Sequence, residues 1–396
     1  MTGVTGIAMN GISIGFALII FAAVCGGCFA VPIKFRHRFE LENLYVIAAL
    51  VTMIILPLLI APFVLPHWTE AIAQAGRGIV WRGLAYGFAW GFGAITFGYS
   101  ISMVGLSIGY AVIMGINTAV GSILPFIAQS QGSVFGRSSI YVLLGIAGCV
   151  LGVAICGVAG HMRAKSVAAS QRTADPGESN SSSSATAEGK LGIGLLFCCI
   201  SGVLSACANL GFTFTSEVGA TAQRLGASPE MSGLGSWMLV YWGGFTATFL
   251  WFGWQQIRKG TWRNNTGQGA GHDFVLAVGM GILWFLAMIP YGMGAYYLGK
   301  LGTSVGWAIN IAASLIIANT FGFLTGEWKI ASATSRRVLF AGLAVLVGAM
   351  VLLATGNSQT TAPEQTKPVA LNSGFMGSHY RPWSVLNAIR TEKEMD

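Results

Sequence analysis

Eight neutral polar side chains interrupt apolar stretches of this chain: Asn117 and Ser122, then Asn209, Thr213 and Thr215, then Asn310, Ser314 and Asn319. Aromatic residues accompany them, namely Trp90 and Tyr99, Tyr110, Trp237 and Tyr241, Trp284 and Tyr291, and Trp307. Polar groups inside lipid-embedded helices are expensive unless partnered, so they are functional candidates by default. Asn, Ser, Thr and Tyr offer donors and acceptors to hydroxyl groups, and an aromatic ring receives the C–H face of a sugar. The combination suits an uncharged polyol. A phosphorylated or amino-acid substrate would call for a buried Arg or Lys, and none lies mid-span. The candidate substrate-binding residues are Trp90, Tyr99, Asn117, Asn209, Trp284, Tyr291, Trp307 and Asn310. Each Asn has a second reading as glue between helices, worth about 0.6–2 kcal/mol per hydrogen bond. Trp237 and Tyr241, near one membrane face, read as interfacial belt anchors.

Reactive sets are missing from the sequence. It has no HExxH, and its five histidines fall in loops or the tail, outside the apolar segments. The seven cysteines fall inside those segments, where they read as small hydrophobes rather than as a disulfide framework. A membrane enzyme, a metal centre and a bound cofactor are therefore not expected. None of the 14 Asp and Glu residues sits mid-segment. Candidates for proton coupling remain only at segment ends: Glu327, in Gly326-Glu327-Trp328-Lys329, and Glu217. Both also read as solvated helix ends. Lys34, just beyond Pro32, reads either as a gate or as a topology determinant.

The elements that hold these residues follow from composition. Of 396 residues, 54% are hydrophobic and 9% charged, far below the charge content of soluble domains. Ten apolar segments approach the 20 or so residues needed to cross a bilayer: 12–32, 44–65, 79–102, 104–128, 139–159, 191–214, 233–254, 274–298, 304–325 and 338–355. The expected fold is an all-α membrane protein of ten transmembrane helices. The net charge of +8 is spread over loops rather than gathered in one patch, which reads as topology and not as nucleic-acid binding. Odd-numbered loops hold 13 basic residues and even-numbered loops five, so both termini are expected outside.

The chain also repeats itself. Trp90, Gly98 and Gly105 recur as Trp284, Gly292 and Gly299, and Ser107-Ile108-Gly109-Tyr110-Ala111 is answered by Ser304-Val305-Gly306-Trp307-Ala308. Upstream, Ile14-Gly15 and Cys28 return as Ile193-Gly194 and Cys207. Two five-helix halves, 1–160 and 191–357, flank a flexible Ser-rich linker over 161–190, and a disordered tail occupies 358–396. Five spans per half reverse the second copy's orientation, giving the inverted repeat common among secondary transporters.

An ordered series of residues resembles the L-rhamnose–proton symporter family. It comprises Pro32, Lys34 and Glu42; Ile54-Ile55-Leu56-Pro57; Trp90-Gly91-Phe92-Gly93, Gly98 and Leu106-Ser107-Ile108-Gly109; Leu225-Gly226 with Pro229; then Trp284, Trp307 and Glu327-Trp328. The likeness runs over about residues 12–356. It implies a ten-helix member of the drug/metabolite transporter superfamily in a bacterial inner membrane, importing a 6-deoxyhexose such as L-rhamnose with a proton. Where better-known members of that family carry an Asp and a His near the start of helix nine, this chain has Thr303 and Asn310, and it has Ala287 where a Gln is expected. These departures bear on the coupling ion and the exact sugar. Two alternatives stay open: a carrier or facilitator for another sugar or small metabolite, and a membrane sugar sensor that binds without flux.

Overall fold

The computed structural model describes residues 2–130, 136–174 and 184–361. Every element among them is helical, with no strand. The described residues belong to one compact unit. The helices in order are α1 (Thr2–Cys28), α2 (Leu41–Leu50), α3 (Leu56–Val64), α4 (Trp68–Gln74), α5 (Arg77–Val104), α6 (Leu106–Gln129) and α7 (Arg137–Ala174). They continue as α8 (Ser184–Phe214), α9 (Ser216–Arg224), α10 (Leu234–Lys259), α11 (Ala270–Tyr297), α12 (Gly302–Leu324) and α13 (Ala333–Thr361). Each expected apolar segment coincides with a helix. A π-helical turn at Val51–Ile55 joins α2 to α3 directly ahead of Pro57. Proline lacks an N–H and crowds the carbonyl four residues earlier, so a widened turn there relieves both problems.

Among the described residues, eight helical stretches are long and apolar enough to cross a membrane. The protein is an all-α membrane protein. The expected count of ten is not met on length and apolarity, because α5 and α10 fall outside that set. Both are long enough, at 28 and 26 residues, but glycine, tryptophan and tyrosine dilute their apolar character. The glycines have a use. A Cβ on Gly87 would lie 2.0 Å from the Val240 carbonyl oxygen, and one on Gly243 2.1 Å from that of Leu84. Only bare backbones approach this closely, the small-residue packing that membrane helices use.

The expected linker differs in extent. α7 continues through residues 161–174 and α8 begins at Ser184, so helix covers much of 161–190; residues 175–183 lie outside the described residues. A helix that leaves the bilayer keeps its backbone hydrogen bonds satisfied from within, so apolarity ends before the helix does. The same holds for α13, which runs to Thr361 into the expected tail; residues 362–396 lie outside the described residues. His161 and His272 likewise sit on α7 and α11 rather than in loops.

Helix contacts follow a regular scheme. α5 packs on α8 and α10, α11 on α1 and α2, α6 on α8, α12 on α1, and α7 on α13. The connections after the first, fifth, seventh and ninth apolar segments meet at one end of the bundle. There Lys34 and Arg163 reach Glu327, Lys259 reaches Glu42, and the backbone of 37–39 reaches Asp273.

Candidate functional site

α5 and α11 each bring one tryptophan to the middle of the bundle, and these two rings stack. Trp90 and Trp284 lie 6.1 Å apart between centroids at an interplanar angle of 11°. Both remain half-buried. Duplicated residues at one point of two helices have become neighbours. From this pair a chain of rings runs inward: Trp90 to Tyr241 at 6.5 Å, Tyr241 to Trp237 at 5.6 Å, Trp237 to Tyr291 at 6.3 Å and Tyr291 to Trp307 at 5.3 Å. Phe212 stacks on Trp237 at 4.8 Å, and Phe29 caps Trp284 at 4.8 Å.

Polar atoms within this region divide into two groups. One group is saturated. Asn209 donates to the carbonyl oxygens of Gly121 (2.7 Å) and Thr303 (3.0 Å) and accepts from the Tyr291 hydroxyl at 2.6 Å. Trp307 Nε1 donates to Asn117 Oδ1 at 3.3 Å, and Ser304 donates to the Ser122 carbonyl at 2.8 Å. These bonds tie α6, α8, α11 and α12 together. The other group is buried yet has no hydrogen-bond partner within the protein: Trp237 Nε1, the Tyr241 hydroxyl, Asn310 Oδ1, Thr213 Oγ1 and Ser122 Oγ. Buried polar groups are nearly always paired, and an orphan costs about 1–3 kcal/mol. Trp237 Nε1 can donate, Asn310 Oδ1 can accept and the hydroxyls can do either, where aromatic rings are concentrated. No carboxylate or imidazole is among them.

At the charged end, Glu327 accepts from Lys34 Nζ at 2.5 Å and from Arg163 Nη1 at 3.2 Å, while the Arg163 guanidinium lies 5.2 Å over the Trp328 ring. The Lys34 ammonium holds the Glu327 carboxyl below the usual carboxylate range; partial burial opposes this and Arg163 adds to it. In this arrangement Glu327 is ionised at neutral pH. On the opposite side, Glu230, Leu234, Gly292 and Met293 close over Trp237 and leave no space for a water molecule. A separate cavity of about 400 Å³ between α6 and α7 is lined by Ala119, Ile123, Ile146, Val150 and other apolar residues, a surface for hydrocarbon rather than for a polyol.

Residues 8–359 match the family described as L-rhamnose-proton symport protein. The chain belongs to that family. Its similar relatives include proteins named L-rhamnose-proton symporter in three bacteria. The Cronobacter sakazakii protein is 23% identical over 360 residues, covering 88% of this chain and 98% of the relative. The Citrobacter koseri protein is 23% identical over 363 residues and the Yersinia pestis protein 22% over 363, each with the same coverage.

Within this symport-family chain the expected site residues part company. Trp90 and Trp284 stack, Tyr291, Trp307, Asn117 and Asn209 interlock, and Asn310 is buried beside them on α12 with an open acceptor. Tyr99 does not join. It is 49% exposed and lies edge-on to Trp251 at 5.9 Å on the outer wall. Nine residues after Trp90 is two and a half helical turns, which places Tyr99 on the opposite face of α5. Glu217 also stands apart, exposed in the first turn of α9. Ser314 donates to the Ala23 carbonyl at 3.2 Å, tying α12 to α1. Trp237 and Tyr241 reverse their expected role: they are 1% and 0% exposed, at the core of the ring chain rather than in a belt. Their spacing of four on a glycine-rich helix puts them on one inward face.

Proposed function

We propose that this protein imports L-rhamnose, or a closely related 6-deoxyhexose, together with a proton across a bacterial inner membrane by alternating access. The observation that carries this reading is the ring chain Trp284–Trp90–Tyr241–Trp237 with its orphaned neutral polar atoms. A pyranose places C–H faces on aromatic rings while its hydroxyls fill open donors and acceptors, and nothing charged is needed. Family membership and the names of the relatives support the same substrate class.

The architecture we infer is ten spans in two inverted five-helix halves, 1–160 and 191–357, with both termini outside. The duplicated Trp–Gly pattern supports it, and so does the contact scheme: α5 against α8 and α10 mirrors α11 against α1 and α2, and α6 against α8 mirrors α12 against α1. Trp90 and Trp284 then flank the pseudo-two-fold axis, where carriers of this plan hold substrate. Lys34, Glu327 and Arg163 latch the basic, cytoplasmic end. Because both cations favour ionised Glu327, proton uptake there and separation of the latch are thermodynamically linked, each promoting the other. Thr303, Asn310 and Ala287 leave the ring-lined centre without an ionisable group of its own. That observation favours a second reading, a facilitator without proton coupling.

Counterflow of labelled L-rhamnose in proteoliposomes, with and without an imposed pH gradient, separates the possibilities. Exchange with pH-driven accumulation is expected. Exchange without accumulation selects the facilitator, binding without flux selects a sensor, and no rhamnose-dependent exchange or binding defeats the substrate assignment.

A further inference from the structure

We propose that His37, His272 and Asp273 form a binding site for a divalent transition-metal ion of the zinc type. His37 lies in the connection between α1 and α2, while His272 and Asp273 occupy the first turn of α11, so two remote parts of the chain supply the donors. The two imidazoles stack, 4.4 Å between centroids and 14° between planes. A ligand atom from each of the three residues lies within 4.8 Å of the other two. Asp273 is fully buried, and its carboxylate accepts the N–H groups of His37, Arg38 and Phe39 at 3.0, 2.6 and 2.7 Å. Its Oδ1 is also 3.0 Å from His272 Nδ1. Backbone donors of this kind fix a carboxylate in the way that outer hydrogen bonds orient metal ligands.

The His272 side chain is 48% exposed, so an ion can arrive from solvent and water can complete its coordination. Zinc bound to nitrogen and oxygen at about 2.0–2.2 Å in a tetrahedron needs donors roughly 3.3 Å apart. The present separations reach up to 4.8 Å, so binding requires the two exposed imidazoles to turn toward the buried carboxylate. Two imidazoles with one carboxylate favour zinc, cobalt or nickel over magnesium and calcium, which prefer an all-oxygen shell. The bound ion would join the α1–α2 connection to the start of α11. It lies with the charged end of the bundle, apart from the ring-lined centre, so its occupancy does not depend on the sugar assignment.

The test is calorimetric titration of Zn²⁺ into the untagged full-length protein in detergent at roughly neutral pH, with Co²⁺ absorption as a spectroscopic report on the ligands. One ion per chain is expected, weakened at least about tenfold by His37→Ala and by His272→Ala. Zn²⁺ should also raise the melting temperature of the wild type and not of the double variant. His37→Gln and His272→Gln provide the same comparison if an alanine variant fails to fold. Absence of saturable Zn²⁺ binding to the wild type, or equal affinity in a folded double variant, overturns the proposal.

Discussion

Replacing Tyr241 with Phe gives effects of opposite sign on stability and on binding, and that pairing tests the proposed site directly. The Tyr241 ring is fully buried and its hydroxyl finds no partner within the protein. An uncompensated buried hydroxyl costs about 1–3 kcal/mol, so its removal should leave the sugar-free protein as stable as the wild type or more so. If the hydroxyl meets a sugar hydroxyl instead, its loss weakens rhamnose binding by about 0.5–1.5 kcal/mol, roughly two- to tenfold in affinity. Tyr291→Phe supplies the contrast. That hydroxyl donates to Asn209 Oδ1 at 2.6 Å and lies 3.1 Å from the Thr303 carbonyl. Its removal strands Asn209 and should lower stability by about 1–3 kcal/mol. Melting in detergent, with and without rhamnose, reads both quantities for each variant. Should Tyr241→Phe melt well below the wild type, or bind rhamnose unchanged, the hydroxyl is a structural bond and the site has been placed wrongly.

The Trp90–Trp284 stack predicts a coupling of about 0.5–1.5 kcal/mol in a double-mutant cycle of Trp90→Ala and Trp284→Ala; additive effects on rhamnose affinity would mean the rings act separately. The close approach of α5 and α10 predicts that Gly87→Ala destabilises by about 1–3 kcal/mol while Gly98→Ala, whose Cβ meets nothing within 4 Å, does not; equal melting temperatures would count against the packing described. For the latch, Glu327 has its folded-state proton affinity lowered, chiefly by the Lys34 ammonium, so the ion pairs contribute stability above the ordinary carboxylate pKa. That contribution is lost as pH falls through the depressed folded value. Melting curves of wild type and Glu327→Gln should therefore run parallel through neutral pH and converge in acid, and a constant offset down to the lowest pH would contradict the pairing.

Part of the candidate site is legible in residue types, and the rest depends on geometry. Duplication marks Trp90 and Trp284 as equivalent positions, a signal that survives without coordinates. For Tyr99, membership of a helix says nothing about which way a side chain points; half a turn out of phase with Trp90, it lies exposed. Trp237 and Tyr241 read as a belt because they stand near the start of an apolar run, whereas in the fold both are buried and Trp237 lies beneath the loop over 225–233 and α11. Nothing in the positions of Lys34 and Glu327, 293 residues apart, announces that they pair.

Sequence by itself determined that this chain lives in a bilayer, where its helices lie, which loops gather the positive charge and that one half echoes the other. Those properties are sums over local composition, and lipid enforces them segment by segment because every backbone group must be satisfied within its own helix. Tertiary structure alone decided which polar atoms are spoken for and which stand open: Asn209 is saturated and Tyr241 is not, although both are neutral, buried and inward-facing. Hydrogen-bond satisfaction depends on distances between helices, and those distances are set where glycines let backbones touch.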